Sequence, residues 1–140
     1  MEFEFVAQNW HLFLALVVIV GLLAFDGVRG NVSGIKKISA VELPRLINHE
    51  DAVVVDVCES NEYRKGHIPG AINLPMSQIK DSISNLDKYK KKNVPMVVSC
   101  ASGNRSARAA SILRKNEFPV VYNLTGGLQA WQKENFPLEK

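Results

Sequence analysis

Val94-Pro95-Met96-Val97-Val98-Ser99-Cys100-Ala101-Ser102-Gly103-Asn104-Arg105-Ser106 is the stretch on which the reading of this chain turns. An apolar, β-branched run stops at a single cysteine, a short loop of small and polar residues follows, and Arg105 opens a segment rich in Ala, Ile and Leu. The run over 94–99 reads as a buried strand, and 105–116 as a helix with Ala109, Ile112 and Leu113 on its inner side. Strand, loop and helix in that order can aim backbone N–H groups at an anion, and a sulfur at the mouth of such a loop is favoured as thiolate. Gly103 supplies a residue able to take positive φ. Arg105 either pins the loop or holds an anionic substrate through paired N–H donors. The bland alternative for Cys100 is an inert core thiol. Its place at a strand end, before a Gly/Asn/Arg loop, favours a functional one.

The same alternation extends in both directions. Residues 52–57, Ala-Val-Val-Val-Asp-Val, form a second continuous run that predicts a buried central strand ending near Asp56 and Cys58. Before it, Ser39-x-x-Glu42 has capping-box spacing and predicts a helix through Leu43, Leu46 and Ile47, with a short strand at Lys37-Ile38. After it come a short helix over 60–65, a turn at His67-Ile68-Pro69-Gly70 and a strand over 71–74. A helical stretch follows in which Ile79, Ile83, Leu86 and Tyr89 recur at helical spacing. A last strand over 119–124, a Thr125-Gly126-Gly127 turn and a helix from Leu128 complete the chain. Strands alternating with helices predict an α/β fold: a parallel sheet with helices on both faces.

Ahead of this lies a different kind of sequence. Residues 12–25 carry no charge, and no Lys or Arg occurs before Arg29. All 17 basic residues but only 12 of the 14 acids follow the run, so that part carries about +5. Taken with Phe3, Phe5, Val6, Ala7 and an interfacial Trp10, the run is long enough to cross a bilayer. A signal peptide would want a basic start, whereas this chain begins Met-Glu-Phe-Glu-Phe. A core helix would want an amphipathic pattern. The expectation is a transmembrane anchor with its flank over 1–28, a linker over 29–34 and one domain over 35–140. Acid before the run and Arg29, Lys36, Lys37 and Arg45 after it predict a single pass through the inner membrane, with the domain facing the cytoplasm. Two cysteines without a CxxC or Cys/His cluster argue against a structural zinc site and suit a reducing compartment. No basic run interleaved with aromatics points to nucleic acid.

Four pieces together resemble the rhodanese family. They are Asp56 after its valine run, Glu62-Tyr63-x-x-Gly66-His67-Ile68-Pro69-Gly70-Ala71-Ile72-Asn73, the loop Cys100-x-x-Gly103-x-Arg105-Ser106, and Thr125-Gly126-Gly127-Leu128-x-x-Trp131. The likeness covers about 35–137, and the anchor ahead of it is similar to the membrane-tethered single-domain branch of that family. The resemblance implies a central parallel sheet, no cofactor, and sulfurtransferase chemistry with Cys100 as the sulfur-carrying nucleophile. Residues 101–106 (Ala101, Ser102, Gly103, Asn104, Arg105, Ser106) would bind the substrate, and Asp56 and Cys58 would support the loop. The donor would be a small sulfur-containing anion such as thiosulfate, or a protein persulfide. The acceptor would be a thiol or cyanide.

Three departures from the family pattern matter. Cys58 stands where relatives often carry Arg, which removes one brace and adds a second thiol. That thiol is either a packing residue or a resolving partner for Cys100. Ala101 replaces a more polar residue, leaving Arg105 as the loop's single cation and weakening the expected grip on thiosulfate. The Cys-x4-Arg spacing is one residue shorter than the cysteine phosphatases need. His67 reads as a turn residue and Asp56 as a brace that accepts backbone N–H bonds. Against the enzyme stands a second function class, a non-catalytic module that docks a partner at the membrane.

Overall fold

In the computed structural model, residues 2–32 and 34–140 are described, 26–32 by their helical backbone alone. The chain falls into two compact units, 1–33 and 34–140. In the first, α1 (Glu2–Gln8) and α2 (Trp10–Val32) are separated at Asn9. The Asn9 backbone N–H and side-chain amide both donate to the Phe5 carbonyl, at 3.1 and 2.9 Å. Side-chain competition for a backbone acceptor bends helices in this way, and α1 meets the Trp10–Phe25 part of α2 at 73°. The uninterrupted span expected from Phe3 onward is therefore broken. No single described helix is long and apolar enough to cross a membrane, and only the bent pair meets that length and composition together. Residues 29–32 of the expected linker continue α2, and Ser33 lies outside the described residues. Gly27 and Gly30 each cost about 1 kcal/mol relative to Ala, too little to end a helix that is already propagating.

The second unit opens with β1 (Ile35–Ile38) and α3 (Leu43–Glu50). Ser39 Oγ accepts the Glu42 N–H at 3.3 Å, one half of the predicted capping box. Then come β2 (Val53–Asp56), α4 (Ser60–Lys65) and β3 (Ile72–Asn73). The stretch after Pro75 is helical but not one helix. A 3-10 turn (Met76–Gln78) leads into α5 (Ile79–Ser82), a second 3-10 turn (Ile83–Leu86) and α6 (Asp87–Lys91). Ser82, Ser84 and Asn85 favour turns over helix interior. The Ile83-to-Leu86 step of three suits the tighter winding and still buries Ile79 and Leu86. β4 (Met96–Ser99), α7 (Asn104–Lys115), β5 (Val121–Leu124) and α8 (Gly127–Lys133) follow.

The five strands are all parallel, in the order β1-β5-β4-β2-β3. Successive residues of a strand face opposite sides, which divides the valine runs between two cores. Val55, Val57, Val98 and Cys100 pack with Ile79, Leu86, Ala109, Ala110, Leu113 and Phe118. Val54, Val97, Ile38 and Leu124 pack on the other face with Leu43 and Trp131. This is the predicted parallel sheet with helices on both faces. It explains why 53–55 and 96–98 are apolar without alternation. β1 is an edge strand that turns Lys36 and Lys37 outward.

Candidate active site

Cys100 is the first residue past β4, and Asp56 ends the neighbouring β2, in register with Ser99. Parallel strands thus deliver Cys100 and the 57–58 segment to one end of the sheet, the end where α/β folds bind ligands. The loop turns at Gly103, with φ of 101°, and runs directly into α7. It is held from outside by the Thr-Gly-Gly turn. The N–H groups of Leu128 and Gln129 donate to the carbonyls of Cys100 and Ala101, at 2.7 and 3.1 Å. A Cβ on Gly127 would run into those same two residues' backbones, so glycine there is a condition of the close approach. The two motifs read separately in the sequence form one structure.

Cys100 is 1 % exposed. Its Sγ accepts the N–H of Gly103 at 3.0 Å and of Ser106 at 3.4 Å, and the Ser106 hydroxyl lies 3.4 Å away. Burial pushes this thiol's pKa up, but the Ser106 hydroxyl and the N–H groups of Ser106, Gly103 and Ser102 outweigh it, and the net shift is downward. The hydroxyl is itself placed by β5: Ser106 Oγ is 2.6 Å from Asn123 Oδ1 and 3.0 Å from the Gly103 carbonyl. One hydroxyl proton serves one acceptor at a time. Asn123 Oδ1 and the Gly103 carbonyl therefore compete with Sγ for that proton. Ser102 and Asn104 are exposed at the loop surface, and Ala101 is half-buried.

Arg105 pins the loop. Its Nη1 and Nη2 meet Glu62 Oε1 and Oε2 at 2.7 and 2.9 Å, a two-point ion pair to α4. Hydrogen bonding to Arg105 holds the Glu62 carboxyl below its usual range against the opposing effect of burial, with help from the Glu59 N–H. Glu62 also closes the capping box of α4 with Glu59. Arg105 Nη2 lies 3.7 Å from Cys58 Sγ.

Asp56 braces the neighbouring loop as predicted, its Oδ1 accepting the Cys58 N–H at 2.9 Å. Asn73 Nδ2 ties that loop further by donating to the carbonyls of Asp56 and Cys58 at 3.0 and 2.9 Å. The Cys58 thiol is pushed up to about 12, by burial first, then by the charge of Asp56 and a hydrogen bond to it, against the pull of Arg105. It is a neutral thiol throughout the physiological range. His67 is committed to local structure. Its Nδ1–H donates to the Tyr63 carbonyl at 2.9 Å, and its ring stacks on Tyr63.

The structure therefore gathers Cys100 to Ser106, Asp56 and Cys58 at one sheet end, and adds three residues that the sequence reading passed over. Glu62 lay in the open, three residues after Glu59 and inside a quoted motif, as a carboxylate without a named cation. Asn73 closed that same motif. Asn123 is a polar residue in an apolar strand, and such a residue needs a partner when buried.

Comparison with known proteins agrees with this geometry. The sequence profile of the Rhodanese-like domain matches residues 39–134. The uncharacterised protein YibN of Escherichia coli K12 is 38% identical over 136 residues, covering 96% of this chain and 94% of its own. The thiosulfate sulfurtransferase GlpE of Pseudoalteromonas translucida is 34% identical over 69% of this chain and 89% of its own. Among solved structures, a rhodanese-related protein from Thermoplasma volcanium superposes with a TM-score of 0.65 at 32% identity, over 74% of this chain and 97% of that one. With profile, relatives and sheet end in agreement, this chain belongs to the rhodanese-like domain family.

Proposed function

We propose that the protein is a sulfurtransferase that carries sulfane sulfur as a persulfide on Cys100. The observation that carries this reading is the set of donors around Sγ: the N–H groups of Gly103 and Ser106 and the Ser106 hydroxyl, at 3.0 to 3.4 Å. Such donors stabilise a thiolate before transfer and the negatively charged terminal sulfur after it. The thiolate attacks the outer sulfur of a donor. The new S–S bond forms as the donor's own breaks, and the electron pair leaves with sulfite or with a thiolate. A thiol or cyanide acceptor then attacks the terminal sulfur and returns Cys100 as thiolate. The relatives named thiosulfate sulfurtransferase support this chemistry. Mass spectrometry after incubation with sulfane donors tests it. The expected result is one added sulfur on the protein, absent in Cys100→Ala. No uptake from any donor, with undiminished capture of a partner by Cys100→Ala, would replace the enzyme with the docking module.

The reading includes a membrane tether. The side chains of α2 from Leu12 to Phe25 are apolar and exposed on every side, which suits lipid. The acid ahead of the run and the basic residues behind it favour a cytoplasmic domain at the inner membrane. Extraction of membranes with alkaline carbonate should leave the full-length protein in the pellet; its release would refute the tether.

A further inference from the structure

We propose that the groove between α7 and the 76–83 segment is a docking site for an acidic amphipathic helix of a partner protein, a role that stands apart from the chemistry at Cys100. The groove has a volume of about 1220 Å³. One wall is a single stripe of α7. Arg105, Arg108, Ile112 and Lys115 follow one another at steps of three or four residues, which keeps them on one helix face. The other wall carries Met76, Lys80 and Ile83. Met76, Ile83 and Ile112 pack against the core yet stay only half-buried, so the groove has an apolar floor open to a further surface.

The rim is positive and its charge is unspent. Arg105 is held by Glu62, and the Glu59 carboxylate accepts the N–H and hydroxyl of Ser77. That leaves Lys80, Arg108 and Lys115, all exposed, against the exposed Asp81. None of these three cations reaches ion-pair distance of a carboxylate among the described residues. An apolar floor under a positive rim fits a segment that is apolar on one face and carries acids along its edges. The lysines of α6 are a different case. Lys91 and Lys92 are exposed but do not line the groove, and no apolar floor accompanies them there.

Spacing selects a helix over an extended segment. Arg108 and Lys115 stand two turns apart, about 10 Å along α7. A helix laid alongside repeats its own face at that distance, with an apolar residue between to meet Ile112. An extended segment repeats a face about every 7 Å and falls out of step with the two cations. The stripe starts at Arg105, which belongs to the Cys100 loop. One end of the docked helix therefore lies beside that loop.

The test uses the full-length protein in phosphatidylcholine nanodiscs and a fluorescent peptide of Ala, Leu and Glu about four turns long. Its leucines recur at helical spacing and its glutamates stand two turns apart; a shuffled peptide of the same composition is the control. Fluorescence anisotropy should show the ordered peptide binding about tenfold or more tighter than the shuffled one. Arg108→Glu combined with Lys115→Glu should weaken it about tenfold or more. Ser111→Trp, which fills the groove without changing charge, should do the same. Lys91→Glu combined with Lys92→Glu should change it by less than about twofold. Equal binding of the two peptides, or of neither, overturns the proposal. So does an equal loss on reversing Lys91 and Lys92, which would reduce the groove to general attraction for anions. Displacement of the peptide by phosphatidylserine vesicles would assign these cations to a lipid surface and overturn it as well.

Discussion

Two cysteines leave adjacent parallel strands of one sheet and end up chemically opposite. Cys58 is 3 % exposed and Cys100 1 % exposed, so burial does not distinguish them. Desolvation alone would raise both thiols, and for both it is the largest single influence. What differs is what each sulfur faces. Cys100 faces N–H groups of a turn that enters a helix, plus a hydroxyl, and its pKa falls. Cys58 faces the carboxylate of Asp56, and its pKa climbs to about 12. Burial raises both thiols, and the difference between them is set by the dipoles and charges that each sulfur faces.

The sharpest way to break this comparison is to ask which thiol alkylates. With Cys58 near 12 and Cys100 below the ordinary 9.0, the thiolate fractions at neutral pH differ by about a thousandfold or more. The greater intrinsic nucleophilicity of the more basic thiolate returns about twentyfold of that, leaving about fiftyfold in favour of Cys100. Peptide mapping after brief iodoacetamide treatment reads the ratio directly. Equal labelling would mean that access decides and the electrostatic account is wrong. Asp56→Asn keeps the acceptor for the Cys58 N–H but removes the charge, so it should lower the Cys58 pKa and shrink the ratio. Cys58 should remain the slower thiol, because burial is untouched.

A smaller effect is expected from the hydroxyl. Ser106→Ala leaves the N–H donors of Gly103 and Ser106 in place but removes one hydrogen bond to the anionic sulfur, which costs about tenfold in Cys100 reactivity at neutral pH. The pH profile of alkylation should move to the alkaline side, since the thiolate has lost a stabilising donor. Asn123→Ala removes an acceptor that competes for the same hydroxyl proton, so it should move the profile to the acid side without touching sulfur. An unchanged profile in both variants would mean that the loop amides alone set the thiol's acidity.

These residues also mark what could be read without coordinates. The valine runs at 53–57 and 96–98, the cysteine at a strand end and the Gly-Gly turn specify a two-faced parallel sheet and a loop at its edge, because burial on both faces and turn geometry are local demands. Pairings across the sheet were not legible in that way. Nothing local says that Glu62 on α4 takes both nitrogens of Arg105, or that Asn123 on β5 holds Ser106 on α7. Each depends on strand order, which puts β5 and β2 on either side of β4. The break at Asn9 escaped for the opposite reason. Hydropathy over a window averages out a single side chain that takes its neighbour's carbonyl.

The smallest predicted effect concerns the ion pair that pins Arg105 to α4. Both partners of the Arg105–Glu62 pair are more than a third exposed, so solvent screens them and the pair contributes only about 1 kcal/mol despite its two-point geometry. Glu62 has a folded-state pKa below its ordinary 4.5. A depressed carboxyl stabilises the fold above its unfolded pKa, and that contribution is lost as the pH falls through the folded value. Denaturant unfolding of the wild type should therefore show a loss between neutral pH and the region below 4.5 that Glu62→Gln lacks. The variant should start about 1 kcal/mol lower at pH 7 and meet the wild type in acid. Parallel curves across that range would show that Glu62 holds Arg105 by position alone, with no charge-dependent stabilisation.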